Sequence, residues 1–335
     1  MKKIISPISK IFKKLLCFLQ KHDMNKSLTN KIQSIVVSLM RYIFLISVSY
    51  VVLYPLFYMI SVSLKSEVDS MDASVIWVPK HFSIENFETA FEAMKYVKSF
   101  LSTLVIEVFS AAIEVFSCAF VAYGFARFQF KEKKLLEGIL LLTILIPIPM
   151  IIIPLMVNFK QTDFFGILGL IGNFLGKEIR PNLLNTPFTF YIPSIFAVGL
   201  RSGILIYIYI QFFKGLPKEL EEAAWIDGAG PFKTFFRIAL PSSGVVILTV
   251  SIFALIWHWN DFYMASMLMS KNLPLAVALS QIRETLEVMR IFHDNPRISS
   301  IVMAGCTMYI APMLVVYLII QRKFIASIDR VGIVG

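Results

Sequence analysis

The sequence is poor in charge and in the residues that mark catalytic or metal sites. Only 16% of its 335 residues are Asp, Glu, Lys or Arg, whereas an ordinary soluble domain has about 25%. Three cysteines are too few for a disulfide framework. The four histidines have no cysteine or acid partner at metal-ligand spacing, and no Gly-x-Ser-x-Gly motif or catalytic dyad is present. We therefore expect a chain that is not an enzyme and holds no metal.

A phosphate-binding loop is also missing. Residues 172–178 have a glycine-rich pattern, but the stretch is one residue short and carries Glu178 where a magnesium-binding Ser or Thr belongs. We therefore expect this chain to bind no cofactor.

Apolar residues are in large excess, at 57% of the chain with a mean hydropathy of +0.73. A helix needs about 20 largely apolar residues to cross a bilayer. Six stretches meet this requirement and predict an all-α integral membrane protein with six spans, at residues 42–61, 100–123, 136–157, 188–213, 244–264 and 299–320. A seventh apolar run, residues 164–176, is shorter and glycine-rich, so we expect it to be interfacial or re-entrant.

The net charge of +10 predicts the orientation of these spans. With the N-terminus inside, the inner segments carry 20 Lys and Arg against 8 Asp and Glu, and the outer segments carry 11 against 12. This distribution obeys the positive-inside rule. We expect a multi-pass protein of the cell membrane with both termini in the cytoplasm.

The N-terminal arm, residues 1–35, is predicted to be separate from the transmembrane domain at residues 36–335. Its first 21 residues place apolar side chains at helical spacing among lysines, without the apolar core or cleavage site of a signal peptide. This pattern indicates a basic amphipathic helix on the anionic inner membrane surface. A flexible positive arm that only sets the topology is the alternative.

The loop after the fourth predicted span, residues 214–241, has the most specific pattern. Pro217 and the glutamates after it favour the start of a helix. Residues 227–230 (Asp-Gly-Ala-Gly) break that helix, since glycine tolerates left-handed backbone, and Pro231 can start a second helix that Pro241 ends. We predict an inner helix–turn–helix with a flat alanine surface and aromatic anchors of the kind that dominate interfaces: Ala223, Ala224, Trp225, Phe232, Phe235 and Phe236.

This loop resembles the EAA loop of ABC importer permeases. The resemblance rests on the spaced set Glu222-Ala223-Ala224, Gly228, Ile238, Leu240 and Pro241. It implies that the loop is the coupling helix, which docks into a cleft on a cytoplasmic ATPase. The coupling residues it implies are Glu222, which would pair with an ATPase arginine, Gly228, which would shape the turn, and their neighbours Ala223, Ala224, Trp225, Asp227 and Phe232.

Other motifs resemble the maltose or multiple-sugar (MalG-like) branch of these permeases. They are Ala122-Tyr-Gly-Phe-Ala-Arg127, Ile153-Pro-Leu155, Asn185-Thr186, Trp259-Asn-Asp-Phe262 and the tail from Gln321 to Gly332. The chain departs from the family in two places. Met264 and Ala265 stand where a proline usually follows the Trp-Asn-Asp-Phe motif, and the outer segment, residues 158–185, is some 20 residues longer than the family pattern.

The resemblance implies an ABC importer type I permease and a set of partners. These are a second homologous permease in a heterodimer, two ATPase subunits that bind ATP and Mg, and an extracellular solute-binding protein, which we expect to be lipid-anchored. The implied mechanism is alternating access, in which ATP-driven closure of the ATPases moves the coupling helices and the binding protein delivers a saccharide. No nucleic acid is expected, because the basic runs alternate with apolar residues.

Three ionisable residues at membrane depth are candidates for the substrate pathway. Glu107 and Glu114 lie seven residues apart, on one face of the second span. Arg201 lies in the fourth span, about 15 Å above its inner end. A charge at this depth needs a protein partner or a water-filled cavity. For the glutamates, the alternatives are a structural pairing with the partner subunit or a neutral carboxyl. Arg201 would line the cavity or pair with one of the glutamates, and a purely structural pairing is its alternative.

Four residues at the outer end of the fifth span complete the candidates for the substrate pathway: Trp257, Trp259, Asn260 and Asp261. Aromatic rings stack on sugars, but tryptophans also form the membrane-interface belt, which is the simpler interpretation. Asn260 and Asp261 are better candidates for a gate or for binding-protein contacts.

Two other functions remain open from sequence. A permease for amino acids, peptides or oxyanions would share the EAA loop but should lack the sugar-branch motifs. A secondary transporter should show inverted repeats, and none is seen between the two halves. The long outer segment favours an oligosaccharide as the substrate.

Overall fold

The computed structural model describes residues 26–163, 166–177, 180–289, 291 and 295–332, with side chains described between residues 33 and 322. Across these residues the secondary structure is helical, and the only β pairing is an isolated bridge between Lys65 and Phe82. Most of the predicted N-terminal arm lies outside the described residues. The chain divides into two compact units, residues 1–59 and 60–335.

The described part of the first unit belongs to α1, Lys26–Ser63, a helix with Pro55 inside it. Its apolar side chains are largely exposed, with Phe44 and Ile46 each at 67%. The helix therefore presents an apolar surface suited to lipid or to another subunit.

The second unit contains the remaining helices. Leu104–Val108 and Phe235–Ala239 are single π-helical turns. The α-helices are α2 Glu67–Met71, α3 Glu85–Ala93, α4 Tyr96–Thr103, α5 Phe109–Arg127, α6 Lys133–Leu145, α7 Ile148–Lys160, α8 Ile167–Leu175, α9 Phe188–Ile195, α10 Ser202–Gly215, α11 Glu219–Ile226, α12 Pro231–Thr234, α13 Leu240–Ser242, α14 Gly244–Trp259, α15 Tyr263–Leu268, α16 Leu275–Ser280, α17 Ile282–Val288 and α18 Arg297–Gly332.

Among the described residues, three helical segments are long and apolar enough to cross a membrane: Gln33–Ser63, Tyr96–Arg127 and Arg297–Arg322. Two bent pairs of helices qualify if each is one broken span. The α6–α7 pair bends by 102°, and the pair Pro231–Ser242 with α14 bends by 80°. These segments cover five of the six predicted spans.

The predicted continuous fourth span is wrong. Residues 188–213 form two helices, α9 and α10, separated by residues 196–201, which we call the break segment. Ala197 and Arg201 have positive φ values of 55° and 60°. This left-handed geometry is rare for residues with a Cβ, and it interrupts the helix.

Three further boundaries differ from the predictions. The third predicted span is bent at Pro147, because a proline lacks the N–H that would continue the helix and Ile146 before it is extended. The fifth ends at Trp259 rather than at residue 264. Pro241 does not end its helix, which continues to Ser242 before the bend. The run at 164–176 contains the nine-residue α8, too short to span, as expected.

The main core of the second unit packs α5 against α10 and α14. Small residues of α5, Cys118, Ala119 and Ala122, are fully buried there and let the neighbouring helices approach closely. Large side chains fill the remaining space: Leu205, Tyr209, Phe213, Phe235 and Val250. This arrangement places the break segment, the middle of α5 and the end of α14 next to one another.

Candidate functional site

The helix–turn–helix at residues 214–241 has the predicted geometry in its first half. Helix α11 begins directly after Lys218, with three glutamates in its first turns. Gly228 has φ +75°, and Pro231 is the first residue of α12. No atom lies within 4 Å of a Cβ built at Gly228, so a side chain would meet no steric obstacle there. Glycine is favoured at this position because of its positive φ value.

A buried ion pair attaches this loop to α5. The Arg127 Nε lies 2.8 Å from Glu221 Oε1, and the two side chains are only 5% and 4% exposed. Arg127 also donates from Nη2 to the carbonyl oxygen of Leu216 at 2.8 Å. Arg127 is the last residue of the Ala122–Arg127 motif, and its sequence position alone did not predict this ion pair. The available signal was a single arginine at the end of an apolar helix, with an acidic loop later in the chain.

The opposite face of α11 is free of such contacts and is exposed. Glu222, Trp225 and Ile226 stand at helical spacings of three and four, so they share one face. Trp225 is 47% exposed and Ile226 87%. Ala223 is also exposed, whereas Ala224 is buried against the rest of the loop. We call Glu222, Ala223, Trp225 and Ile226 the α11 face.

Aromatic rings join the second half of the loop to α5. Phe232 stacks on Phe120 with ring centroids 5.9 Å apart, although it stays 69% exposed. Phe236 stacks on Phe116 at 5.9 Å, and Phe235 is buried beside both. The loop is therefore held to α5 by a buried ion pair at one end and by stacked rings at the other.

Two of the residues predicted for the substrate pathway, Glu107 and Glu114, meet at His258 inside the protein. Glu107 Oε2 lies 3.0 Å from Nδ1 of His258, and Glu114 Oε2 lies 2.7 Å from its Nε2. All three side chains are at most 2% exposed. Both ring nitrogens therefore face a carboxylate, which suits an imidazolium donating twice, or a neutral ring with one protonated carboxyl. We call these residues the His258 cluster.

The break segment is tied to this cluster. Ser202, which follows it, donates a hydrogen bond from its hydroxyl to Glu114 Oε1. A Cβ at Gly199 would lie 2.9 Å from Glu114 Oε2, so only glycine allows the backbone to approach that carboxylate. Ser117 donates to the Ser194 carbonyl oxygen at 2.5 Å, which attaches the end of α9 as well.

Arg201 pairs with neither glutamate. Its guanidinium carbon lies 5.2 Å from the centroid of the Trp257 ring, a cation–π distance. It also lines a cavity of about 770 Å³ between α6, α7 and the break segment. The wall is mainly aliphatic, with Thr143, Arg201, Ser202 and Tyr263 as its residues able to donate hydrogen bonds from a side chain.

The other candidates at the end of α14 have structural contacts. Trp259 is only 3% exposed and packs on Phe100 and Tyr309, so the membrane-belt interpretation is wrong for this tryptophan. The Asp261 carboxylate accepts backbone hydrogen bonds from Met264 at 3.1 Å and Ala265 at 3.2 Å, which starts α15. Asn260 is exposed and donates to the Ile256 carbonyl oxygen.

The role of His258 was not predicted from the sequence, because its partners Glu107 and Glu114 lie far away along the chain. The sequence separations to Glu107 and Glu114 are 151 and 144 residues. Within the described residues, no group of three or more His, Cys, Asp or Glu side chains is arranged to hold a metal ion. Hydrogen bonds hold the three side chains of the His258 cluster together.

These features indicate a class of protein. Apolar helical segments long enough to cross a membrane, with buried ionisable groups inside them, are typical of membrane transport proteins. The chain belongs to the family of binding-protein-dependent transport system inner membrane components, whose pattern matches residues 116–330.

Several curated relatives are permeases. The probable starch degradation products transport system permease protein AmyC of Thermoanaerobacterium thermosulfurigenes is 27% identical, over 81% of this chain and 88% of the relative. The diacetylchitobiose uptake system permease protein NgcG of Streptomyces coelicolor is 27% identical, over 84% of each chain. The melibiose/raffinose/stachyose import permease protein MelC of Bacillus subtilis is 28% identical, over 84% of this chain and 91% of the relative.

A solved structure shares the fold. A chain of a bacterial ABC transporter involved in the import of the acidic polysaccharide alginate matches with a TM-score of 0.66. The match covers 91% of this chain and all of that chain at 21% identity. This chain therefore has the fold of an ABC importer permease.

Proposed function

We propose that this chain is a permease subunit of an ATP-driven, binding-protein-dependent importer of an oligosaccharide. The observation that carries the proposal is the family membership, joined to relatives whose names specify starch products, diacetylchitobiose and melibiose or raffinose. The chain supplies half of the translocation pathway. ATP and Mg are bound by two partner ATPase subunits, and a second permease and an extracellular, lipid-anchored binding protein complete the transporter.

The coupling role belongs to the α11 face. It combines an exposed carboxylate, Glu222, with a flat alanine and two exposed large apolar side chains. Exposed aromatic residues on a rigid element are typical of a protein interface. The buried Arg127–Glu221 pair supports the proposal, because a helix that is pushed by a partner must pass its movement to the spans.

The pathway role belongs to the cavity beside the break segment. Arg201 and Tyr263 offer hydrogen-bond donors to sugar hydroxyls, and both line the cavity. Trp257 contacts Arg201 through a cation–π interaction. Glu107 and Glu114 are enclosed by protein, so their part in the pathway is to hold other residues in place.

The proposed topology has six spans and both termini in the cytoplasm. The fourth span is then the broken pair α9 and α10, and the third is the bent pair α6 and α7. A domain of residues 36–335 would follow a basic arm, residues 1–35, on the inner membrane surface. The charge distribution supports this topology, with basic residues concentrated in the segments proposed to be inner.

Reconstitution tests the function. The complete transporter is placed in proteoliposomes with its binding protein, and ATP hydrolysis is measured with maltotriose, raffinose and diacetylchitobiose in turn. We expect at least one of them to stimulate hydrolysis severalfold, and Glu222→Ala to reduce that stimulation. Stimulation by an amino acid or an oxyanion instead would assign the chain to a different importer class.

A further inference from the structure

Two pairs of consecutive residues face each other across the core. Arg201 ends the break segment and Ser202 begins α10, whereas Trp257 and His258 lie in the last turn of α14. Arg201 contacts Trp257 directly, at 5.2 Å from guanidinium carbon to ring centroid. Ser202 reaches His258 indirectly, through Glu114, which accepts from Ser202 and lies 2.7 Å from Nε2 of His258. Two parallel connections therefore join the break segment to α14.

Among the described residues, no ion pair fixes the side chain of Arg201 at the cavity. Arg201 is exposed, it lies on a left-handed backbone with φ 60°, and no carboxylate of the described residues pairs with it. Its position depends on where Ser202 holds the chain and on where α14 holds the Trp257 ring. Ser202 is hydrogen-bonded to Glu114 of the His258 cluster, and His258 is the residue next to Trp257 on α14.

Because the His258 cluster is buried, its side chains have few alternative positions. A buried ionisable group is costly unless it is paired, so His258 cannot turn away from either carboxylate without leaving a charge or a polar group unpartnered. Glu107 anchors Nδ1 at 3.0 Å and thereby orients the ring, so that Nε2 points to Glu114. Gly199 fits this arrangement, because a Cβ at that position would lie 2.9 Å from Glu114 Oε2 and displace the carboxylate.

We propose that His258 is a positioning residue for the substrate pathway. It acts through Glu114 and Ser202 to fix the break segment, and so holds Arg201 against Trp257 at the cavity. This inference rests on the proposed function, because it assigns Arg201 to the pathway. It predicts that the His258 cluster controls apparent substrate affinity from a place that substrate does not reach.

A double-mutant cycle tests the proposal in the complete transporter in proteoliposomes. The probe is whichever of maltotriose, raffinose and diacetylchitobiose stimulates ATP hydrolysis in the wild type. We expect His258→Gln and Ser202→Ala each to raise KM more than they lower kcat, with about a tenfold rise in KM for His258→Gln, the change that corresponds to 1.4 kcal/mol. Arg201→Ala is expected to raise KM by at least as much. If His258 acts through Arg201, the double variant has the KM of Arg201→Ala alone.

Thr249→Val is the matched control on α14. The Thr249 hydroxyl donates only to the Val245 carbonyl oxygen of its own helix, so this change should leave KM and kcat unchanged. Ser202→Ala keeps the test informative if His258→Gln does not assemble, since it removes one hydrogen bond and no packing volume beyond a hydroxyl. It is expected to raise KM in the same direction.

Two results would overturn the proposal. One is a double variant whose KM rises by the product of the two single effects, which means that His258 and Arg201 act independently. The other is an unchanged KM in both His258→Gln and Ser202→Ala. Absence of sugar stimulation in the wild type would reject the proposed function instead, so the two failures are told apart by the wild-type measurement.

Discussion

At the scale of single residues, Glu221 and Glu222 are adjacent but have opposite surroundings. Glu221 is buried against Arg127, whereas Glu222 is exposed on the α11 face. Removing one partner of a buried ion pair costs roughly 3–5 kcal/mol, because a charge is left without compensation. We therefore expect Glu221→Ala to lower the thermal unfolding midpoint of the purified subunit strongly.

Glu222→Ala is the matched control for that change. An exposed substitution usually changes stability by about 0.5 kcal/mol or less, and loss of a favourable charge near a helix start costs at most about 1 kcal/mol. We expect its unfolding midpoint to match the wild type while sugar-stimulated ATP hydrolysis falls. Equal unfolding midpoints for the two variants would show that the Arg127–Glu221 pair does not stabilise the fold.

Asp69 gives a residue-scale prediction about pH. The backbone N–H of His81 donates to its carboxylate at 2.7 Å and the ring Nδ1 lies 2.9 Å away, and these hydrogen bonds lower the pKa of Asp69 below its usual value. The ordinary aspartate pKa is about 3.9. The ionised form is thus favoured in the folded state, and its stabilisation is complete above pH 4 or so and lost as the pH falls through the lower folded pKa.

Hydrogen exchange of the segment 64–83 measures this effect. Between pH 5 and pH 3, after correction for intrinsic rates, we expect the amide of His81 to lose protection in the wild type. Asp69→Asn has no charge to lose, so its protection should be lower at pH 5 and constant over the same range. A wild-type profile with no pH dependence would contradict the prediction.

At the scale of the elements, Gly228 determines the turn of the coupling loop. Its φ of +75° strains a residue with a Cβ by roughly 1–2 kcal/mol, while the surrounding space is open. Asn visits this conformation more readily than a β-branched residue does. We expect sugar-stimulated ATP hydrolysis in the order wild type, Gly228→Asn, Gly228→Val. Equal activity of the Val and Asn variants would show that the left-handed turn is not required.

The turn was predictable from sequence because its signals are local. Gly228 and Pro231 act on their own backbone, so the end of α11 and the start of α12 can be predicted without knowledge of the fold. The candidate surface on α11 was predictable for the same reason. Helical spacing alone places Glu222 and Trp225 on one face.

The break in the fourth span was not predictable in the same way. Phe196, Ala197 and Val198 continue an apolar run, so the hydropathy of the sequence predicts an unbroken helix there. Hydropathy contains no information on the left-handed backbone of Ala197. The break forms where Ser202 and Gly199 meet Glu114, contacts that only the folded chain creates. The His258 cluster was hidden by the same limit. Periodicity paired Glu107 with Glu114 on one helix but gave no indication that a distant histidine would lie between them.

At the scale of the whole molecule, the long segment after α7 leaves and returns at neighbouring points of the fold. The Thr162 amide donates to the Pro181 carbonyl oxygen at 3.1 Å, and the Leu183 amide donates to Phe159 at 2.8 Å, so the two ends already lie side by side. We expect a Gly-Ser link in place of residues 163–180 to preserve assembly. If the segment serves oligosaccharide delivery, sugar stimulation of ATP hydrolysis falls, whereas unchanged stimulation would reject that role.

The orientation of the chain is a whole-molecule property that follows from its charge. Single cysteines at exposed lysines report it: Lys131 and Lys218 lie in segments proposed to be inner, and Lys80 and Lys271 in segments proposed to be outer. In intact cells, an impermeant maleimide should label the cysteines at 80 and 271 and leave those at 131 and 218 unlabelled until the membrane is opened. Six spans with the N-terminus inside give the inner segments their excess of Lys and Arg. Labelling of residue 218 from outside would show that the loop lies on the outer side of the membrane, where it could not contact the ATPases. The same experiment therefore tests both the topology and the coupling role of the α11 face, since a coupling helix must lie on the side where ATP is.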